Sequence, residues 1–284
     1  MQRTDLHDIR ERTYKARDAW WTVLLVDPFA VRLVRLVAPY RWITPNLLSG
    51  LAFVFGIASA YCFAMADRWW LVAGALLFHL SFVVDCMDGK IARLNGTGSM
   101  FGQWFDFVFD RLRVVLCAVA LMGGQYVRTG DVAWVWLAAA VIGLDLFRYV
   151  NGSQMAKIKN AMRAQLEEAR GEVATMQVAD DEGETDDPVP TRAPRSAYER
   201  VRNALLRHRI RIHLFSGIEF EMTVFIIGPL IGFVFWTSIV AGVLLLIFEA
   251  LLVFRLSQLI GQWKRAMAKA QHARLDEPIR PAAV

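Results

Sequence analysis

The sequence predicts an all-α, polytopic membrane helix bundle: six transmembrane helices preceded by an N-terminal amphipathic interfacial helix. Three observations carry this. The chain is 56% hydrophobic although it contains a long charged segment, which is too apolar for an ordinary soluble domain. Its apolar residues fall in runs near the roughly 20 residues that a bilayer-spanning helix needs. Two of those runs, 47–65 and 225–254, carry almost no polar face, whereas a soluble bundle would keep one.

Residues 1–43 read as a cytoplasmic and interfacial segment. Its first part alternates acids and bases and lacks the apolar stretch of a cleavable signal peptide. Trp20 and Trp21 follow, then residues 23–37, apolar but interrupted by Asp27, Pro28, Arg32 and Arg35. This predicts a helix lying in the interface, with tryptophans at headgroup level and arginines snorkelling.

Thr44-Pro45-Asn46 is a helix start, because Thr44 can cap and proline suits the first helical position. Spans are predicted near 46–65, 69–94, 102–123 and 132–151, within a membrane segment 44–151, and near 213–235 and 237–258, within 213–258. The cytoplasmic linker 152–212 separates the two segments. Residues 157–170 read as a charged helix extending the fourth span. Residues 179–194, with Asp180-Asp181-Glu182-Gly183-Glu184 and three prolines, read as disordered. Residues 196–211 are basic and include Leu205, Leu206 and Ile210, as a surface helix on anionic lipid would. Residues 259–284 form a cytoplasmic tail.

The net charge of +5 does not point to nucleic acid, because no binding signature accompanies it. Lys and Arg gather in the N-terminal segment, the linker and the tail, the pattern of cytoplasmic flanks. The second-to-third connection holds Lys90 and Arg93, while the fifth-to-sixth has no charge. Both termini and the second-to-third connection are therefore expected on the cytoplasmic side, in a bacterial plasma membrane. Cys62, Cys86 and Cys117 lie in or beside apolar runs with no metal or redox spacing, and read as small buried hydrophobes.

Four carboxylates stand out within these runs: Asp85 and Asp88 in the second span, Asp106 and Asp110 in the third. Ionisable groups at membrane depth are costly and by default mark function. At about 100° per residue, Asp85, Asp88, Gly89 and Ala92 share one helical face. Asp106 and Asp110 share another, with Gly102 one turn earlier. If the faces meet, the carboxylates repel one another unless divalent cations intervene. Hard oxygen ligands suit Mg²⁺ or Mn²⁺. Two such ions form the usual clamp for phosphoryl transfer. Gly89 and Ala92 leave room for a nucleotide or phosphate, Arg93 can neutralise a diphosphate, and one aspartate could deprotonate an attacking hydroxyl.

The spacing D-x2-D-G-x2-A-R-x8-G-x3-D-x3-D is complete from Asp85 to Asp110. It resembles the signature of the CDP-alcohol phosphotransferase family of integral membrane enzymes. The resemblance implies that a CDP-linked donor, usually CDP-diacylglycerol, passes its phosphatidyl group to an alcohol and releases CMP, in phospholipid biosynthesis. It implies metal binding by Asp85, Asp88 and Asp106. Asp110 would be the general base and also touch one metal. Gly89, Ala92 and Arg93 would line the CDP pocket, with Ser99 and Gly102 close by, and the chain would be a homodimer in membrane lipid. A cation or proton transporter is the rival from another class; it does not require Gly89, Ala92, Arg93 and Gly102 at these offsets.

The acceptor alcohol is less legible. Arg148 lies at the cytoplasmic end of the fourth span and Lys157 and Lys159 follow, as in relatives that hold a phosphorylated acceptor, and Arg111 directly after Asp110 resembles the inositol-phosphate type. These favour inositol phosphate or glycerol phosphate. Ordinary positive-inside flanking explains the same residues equally well. Glu219, Glu221 and Glu249 could instead meet an amino alcohol or a polyol. Glu219 is also placed to pair with Arg148, and Asp145 to orient it. His79, two turns before Asp85, reads as a packed histidine rather than a metal ligand.

Overall fold

The first long helix starts where the Thr44-Pro45 pair requires. The computed structural model of the chain describes residues 6–40, 42–170 and 197–275. Thr44 is extended and its hydroxyl accepts from the Leu47 amide at 3.3 Å, which caps helix α3, Pro45–Ala64. Upstream lie α1, Leu6–Thr13, a single π-helical turn at Thr22–Val26, and α2, Asp27–Val37. Downstream come α4, Arg68–Asn95, α5, Met100–Thr129, and α6, Ala133–Arg170. Then follow α7, Ala197–Arg207, α8, Gly217–Met222, a π-helical turn at Thr223–Ile227, α9, Gly228–Ile231, and α10, Val234–Leu275. The fold is all-α, and among the described residues the sole β pairing is one bridge between Asp18 and Ile210.

Four helices are long and apolar enough to cross a membrane by length and composition: Pro45–Ala64, Arg68–Asn95, Ala133–Ala169 and Val234–Ala270. The other two expected spans correspond to α5 and to the run from α8 to α9. Asp106, Asp110, Arg111 and Arg113 lower the hydropathy of α5, and the fifth run is short and broken by its π turn. The expected extension of the fourth span is present, since α6 continues unbroken to Arg170. The sixth helix likewise runs far beyond 258, to Leu275. The acidic stretch 179–194, expected as disordered, lies outside the described residues.

The chain divides into two compact units. One comprises Met1–Leu146 and Pro188–Leu245, the other Phe147–Asp187 and Leu246–Val284. In the first, α3 packs along α4 and α5. Hydroxyls tie α3 to α4: Ser59 donates to the Gly74 carbonyl at 2.8 Å, and Ser81 to the Ala52 carbonyl at 2.6 Å. Such bonds between helices are a common adhesive where no water competes. Gly124 of α5 allows the closest approach, since a Cβ there would sit 2.7 Å from the Ala64 carbonyl oxygen. Phe63, Phe78, Phe220 and Phe225 are fully buried around this contact.

Helix α2 buries Asp27, Ala30, Val31 and Val34, one face at helical spacing, and exposes Phe29 and Leu36. It is clamped to α4 by a buried ion pair, Lys90 Nζ to Asp27 Oδ1 at 2.8 Å. Arg209 joins the same aspartate at 3.2 Å and lies 3.9 Å over the Tyr14 ring. The segment between α7 and α8 is thereby fastened to the N-terminal helices and to the helix that carries Asp85 and Asp88.

In the second unit the later parts of α6 and α10 meet. Arg148 Nε pairs with Glu249 at 3.3 Å, Asn151 donates to the same carboxylate at 2.5 Å, and the Trp263 indole donates to the Met162 carbonyl at 3.0 Å.

Candidate active site

Two helices bring the four aspartates together. One ligand oxygen each from Asp85, Asp88 and Asp106 lies within 4.8 Å of the other two. Asp88 is 7% exposed, so its charge is held away from water. Oδ1 of Asp106 is buried without a hydrogen-bond partner. A buried carboxylate oxygen left unpaired is expensive unless something positive fills the gap. Three hard oxygen donors at this spacing, one of them orphaned, fit a divalent cation such as Mg²⁺ or Mn²⁺.

Asp110 takes a different partner. Its Oδ1 accepts from Arg113 Nη2 at 2.7 Å, one helical turn on, while Arg113 Nη1 stands 3.6 Å from Asp85 Oδ1. Arg113 is 2% exposed and also donates to Ser81 at 3.1 Å. Sequence reasoning missed this residue. Its signal was available, because an arginine at i+3 from an aspartate within an apolar helix needs a partner.

Ser49 is the second omission. Its hydroxyl donates to Asp88 Oδ2 at 2.5 Å from α3. The two residues are 39 apart in the chain, so no local pattern could link them. Groups that orient a metal ligand from behind typically carry 10- to 100-fold in metal affinity. Ser49→Ala is therefore expected to weaken Mn²⁺ binding by about tenfold with the fold intact, measured by Mn²⁺ titration of purified protein in detergent.

The small positions of the motif are where the helical wheel put them. A Cβ on Gly89 would meet only the Arg93 guanidinium, at 3.5 Å. One on Gly102 would press on Ser99 Oγ at 3.0 Å and on Asn46 Oδ1 at 3.1 Å. Ser99 is the N-cap of α5 and accepts from the Gly102 amide at 2.9 Å. The carbonyl of Ala92 accepts from Thr97 N where α4 ends at the left-handed Gly96. Exposed Arg93 donates through Nε to the Thr13 carbonyl at 2.9 Å, so its forked end is steered from α1. The end of α4 and the start of α5 thus carry the small residues of the motif and the cation Arg93.

The charged residues after the motif have these partners. Asp145 Oδ2 takes Arg111 Nη1 at 2.5 Å. Arg111 also reaches Glu221 at 3.1 Å, and all three are buried. Arg111 therefore serves a buried ion cluster joining α5, α6 and α8, which accounts for it without a substrate. Arg148 has Glu249 as its ion-pair partner and lies 5.2 Å over the Phe248 ring. Glu219 closes a capping box, accepting from the Ser216 amide at 3.0 Å and its hydroxyl at 2.8 Å. Lys157 is exposed on α6. His79 packs edge-on against Trp21, as a structural histidine does.

Residues 42–176 match the model of the CDP-alcohol phosphatidyltransferase family. Through this segment, a little under half of the chain, the protein is similar to that family. The CDP-alcohol phosphatidyltransferase segment covers both aspartate pairs and the loop between them. Over 125 residues the chain is 30% identical to choline/ethanolaminephosphotransferase 1 of Arabidopsis thaliana, covering 41% of this chain and 31% of that protein. Over 83 residues it is 35% identical to the archaetidylinositol phosphate synthase of Pyrococcus horikoshii, covering 28% and 43%. Over 111 residues it is 34% identical to the CDP-diacylglycerol–glycerol-3-phosphate 3-phosphatidyltransferase of Cereibacter sphaeroides, covering 39% and 47%. The matched stretch spans less than half the length of each relative. The family match and the long apolar helices together mark an integral membrane protein.

Proposed function

We propose that the chain transfers a substituted phosphate group from a CDP-linked donor to an alcohol, releasing CMP. The observation that carries this is the cluster of Asp85, Asp88 and Asp106 with an orphaned buried oxygen, set inside a complete family motif. The donor is CDP-diacylglycerol, and the enzyme is a six-span homodimer whose site opens to the cytoplasm of a bacterial cell.

Asp85, Asp88 and Asp106 would hold divalent metal, with Asp110 at the edge of the site. Bound there, Mg²⁺ or Mn²⁺ supplies positive charge to the oxygens of the donor diphosphate. Gly89, Ala92 and Gly102 leave space for the nucleotide, Ser99 holds the start of α5 that borders it, and Arg93 offsets diphosphate charge. The acceptor hydroxyl attacks the phosphorus that bears the lipid group and loses its proton to Asp110. The new oxygen–phosphorus bond forms as the bond to the CMP oxygen breaks, and CMP leaves with the electron pair.

A phosphorylated polyol, inositol phosphate or glycerol phosphate, remains the proposed acceptor. The archaeal and Cereibacter relatives are named for such acceptors, and Lys157 and Arg148 supply cations on α6. The plant relatives' names point to choline and ethanolamine instead, so a non-phosphorylated or amino-alcohol acceptor is the second reading. An acceptor screen separates them. Labelled CDP-diacylglycerol with Mg²⁺ or Mn²⁺ is offered inositol phosphate, glycerol phosphate, serine, ethanolamine and inositol, and lipid products are resolved. Turnover with a phosphorylated polyol alone is expected. Turnover only with an amino alcohol overturns the acceptor, and cation flux in liposomes without CMP release overturns the reaction.

A further inference from the structure

Four aspartates crowd two helices, and a residue outside the motif, Arg113, reaches one from each helix. Arg113 Nη2 binds Asp110 Oδ1 at 2.7 Å and Nη1 lies 3.6 Å from Asp85 Oδ1, so one guanidinium spans a carboxylate from each helix. The side chain is held from other directions too. Ser81 Oγ accepts from Nη1 at 3.1 Å, the guanidinium lies 5.7 Å over the Phe78 ring, and the group is 2% exposed. On α3, Gly56 leaves room for its stem: a Cβ there would come within 2.7 Å of Arg113 Cγ and 2.9 Å of Cδ.

We infer that Arg113 is a positioning residue for Asp110. It holds that carboxylate by one oxygen, and it stands as a fixed cation beside Asp85 of the metal cluster. A planar fork can satisfy two carboxylates and a hydroxyl at once, and an ammonium cannot. Charge and geometry should therefore come apart on substitution. For its turnover arm the inference rests on the transferase reading above; its metal arm does not.

The experiment measures Mn²⁺ binding to the purified protein in detergent, from the electron paramagnetic resonance of free Mn²⁺, alongside kcat for CMP release. Arg113→Gln removes a positive charge beside the cluster, so Mn²⁺ should bind at least about tenfold tighter, as Coulomb's law requires. With Asp110 no longer held, kcat should fall by about a hundredfold. Arg113→Lys keeps the charge and loses the fork, so Mn²⁺ affinity should stay near wild type while kcat falls about tenfold. Gly56→Ala, far from any reacting atom, displaces the arginine stem and should lower kcat in the same way without raising KM for the donor.

Arg113→Gln with wild-type Mn²⁺ affinity, or with weakened affinity, overturns the fixed-cation role. Wild-type kcat in Arg113→Lys and Gly56→Ala together overturns the positioning role. If Arg113→Gln aggregates on size exclusion, the lysine and alanine variants decide by the same criteria. Absence of CMP release from the unmutated protein would sink the transferase reading and leave the Mn²⁺ comparison standing.

Discussion

Asp110→Asn should lower turnover by about a thousandfold, the scale of a lost general base, while Mn²⁺ and CDP binding stay close to wild type. The geometry sets this expectation. Asp110 is not among the three aspartates whose ligand oxygens lie within 4.8 Å of one another. Its Oδ1 is anchored by Arg113 at 2.7 Å, and the asparagine carbonyl can accept the same bond with the same shape. What the amide cannot do is take a proton from an attacking hydroxyl. CMP release in detergent, with CDP and Mn²⁺ binding followed separately, checks both halves. Wild-type turnover would remove Asp110 from the base role. Loss of Mn²⁺ binding together with turnover would place it among the metal ligands instead.

Arg111→Met should be the most destabilising substitution in the bundle, by about 3–5 kcal/mol, because it strands buried charge. Arg111 binds Asp145 at 2.5 Å and Glu221 at 3.1 Å, with side-chain exposures of 9%, 1% and 3%. Methionine fills similar volume but takes away the guanidinium that both buried carboxylates share. The triple change Arg111→Met, Asp145→Asn, Glu221→Gln should recover much of the loss, since neutral groups of the same shape can pair. Thermal unfolding in detergent, followed by loss of the monodisperse peak, measures both. A single variant as stable as wild type would mean that water or lipid headgroups reach the cluster.

These two arginines show how far the chain could be read without its structure. The motif aspartates were legible because helical periodicity is a local property: Asp85 and Asp88 share a face whatever surrounds them. The helix start at Thr44 was legible, since a cap needs only the residues that follow it. Arg111 was visible as an oddity, read as a sign of the inositol-phosphate type. Its partners Asp145 and Glu221 come from helices 34 and 110 residues away. No local pattern links the three residues.

What the sequence by itself determined was the order of the helices, the apolar faces that make them membrane elements, and four carboxylates at an unmistakable spacing. Each follows from local periodicity and from the cost of burying charge. What only the tertiary structure decided was the division of labour among the charges. Three aspartates converge, Arg113 holds the fourth, Ser49 reaches across from α3, Arg111 meets Asp145 and Glu221, and Arg148 meets Glu249. Away from water each buried ion must find an opposite charge or a hydrogen-bond donor. Which one it finds depends on which helix faces pack together, and no local pattern contains that information.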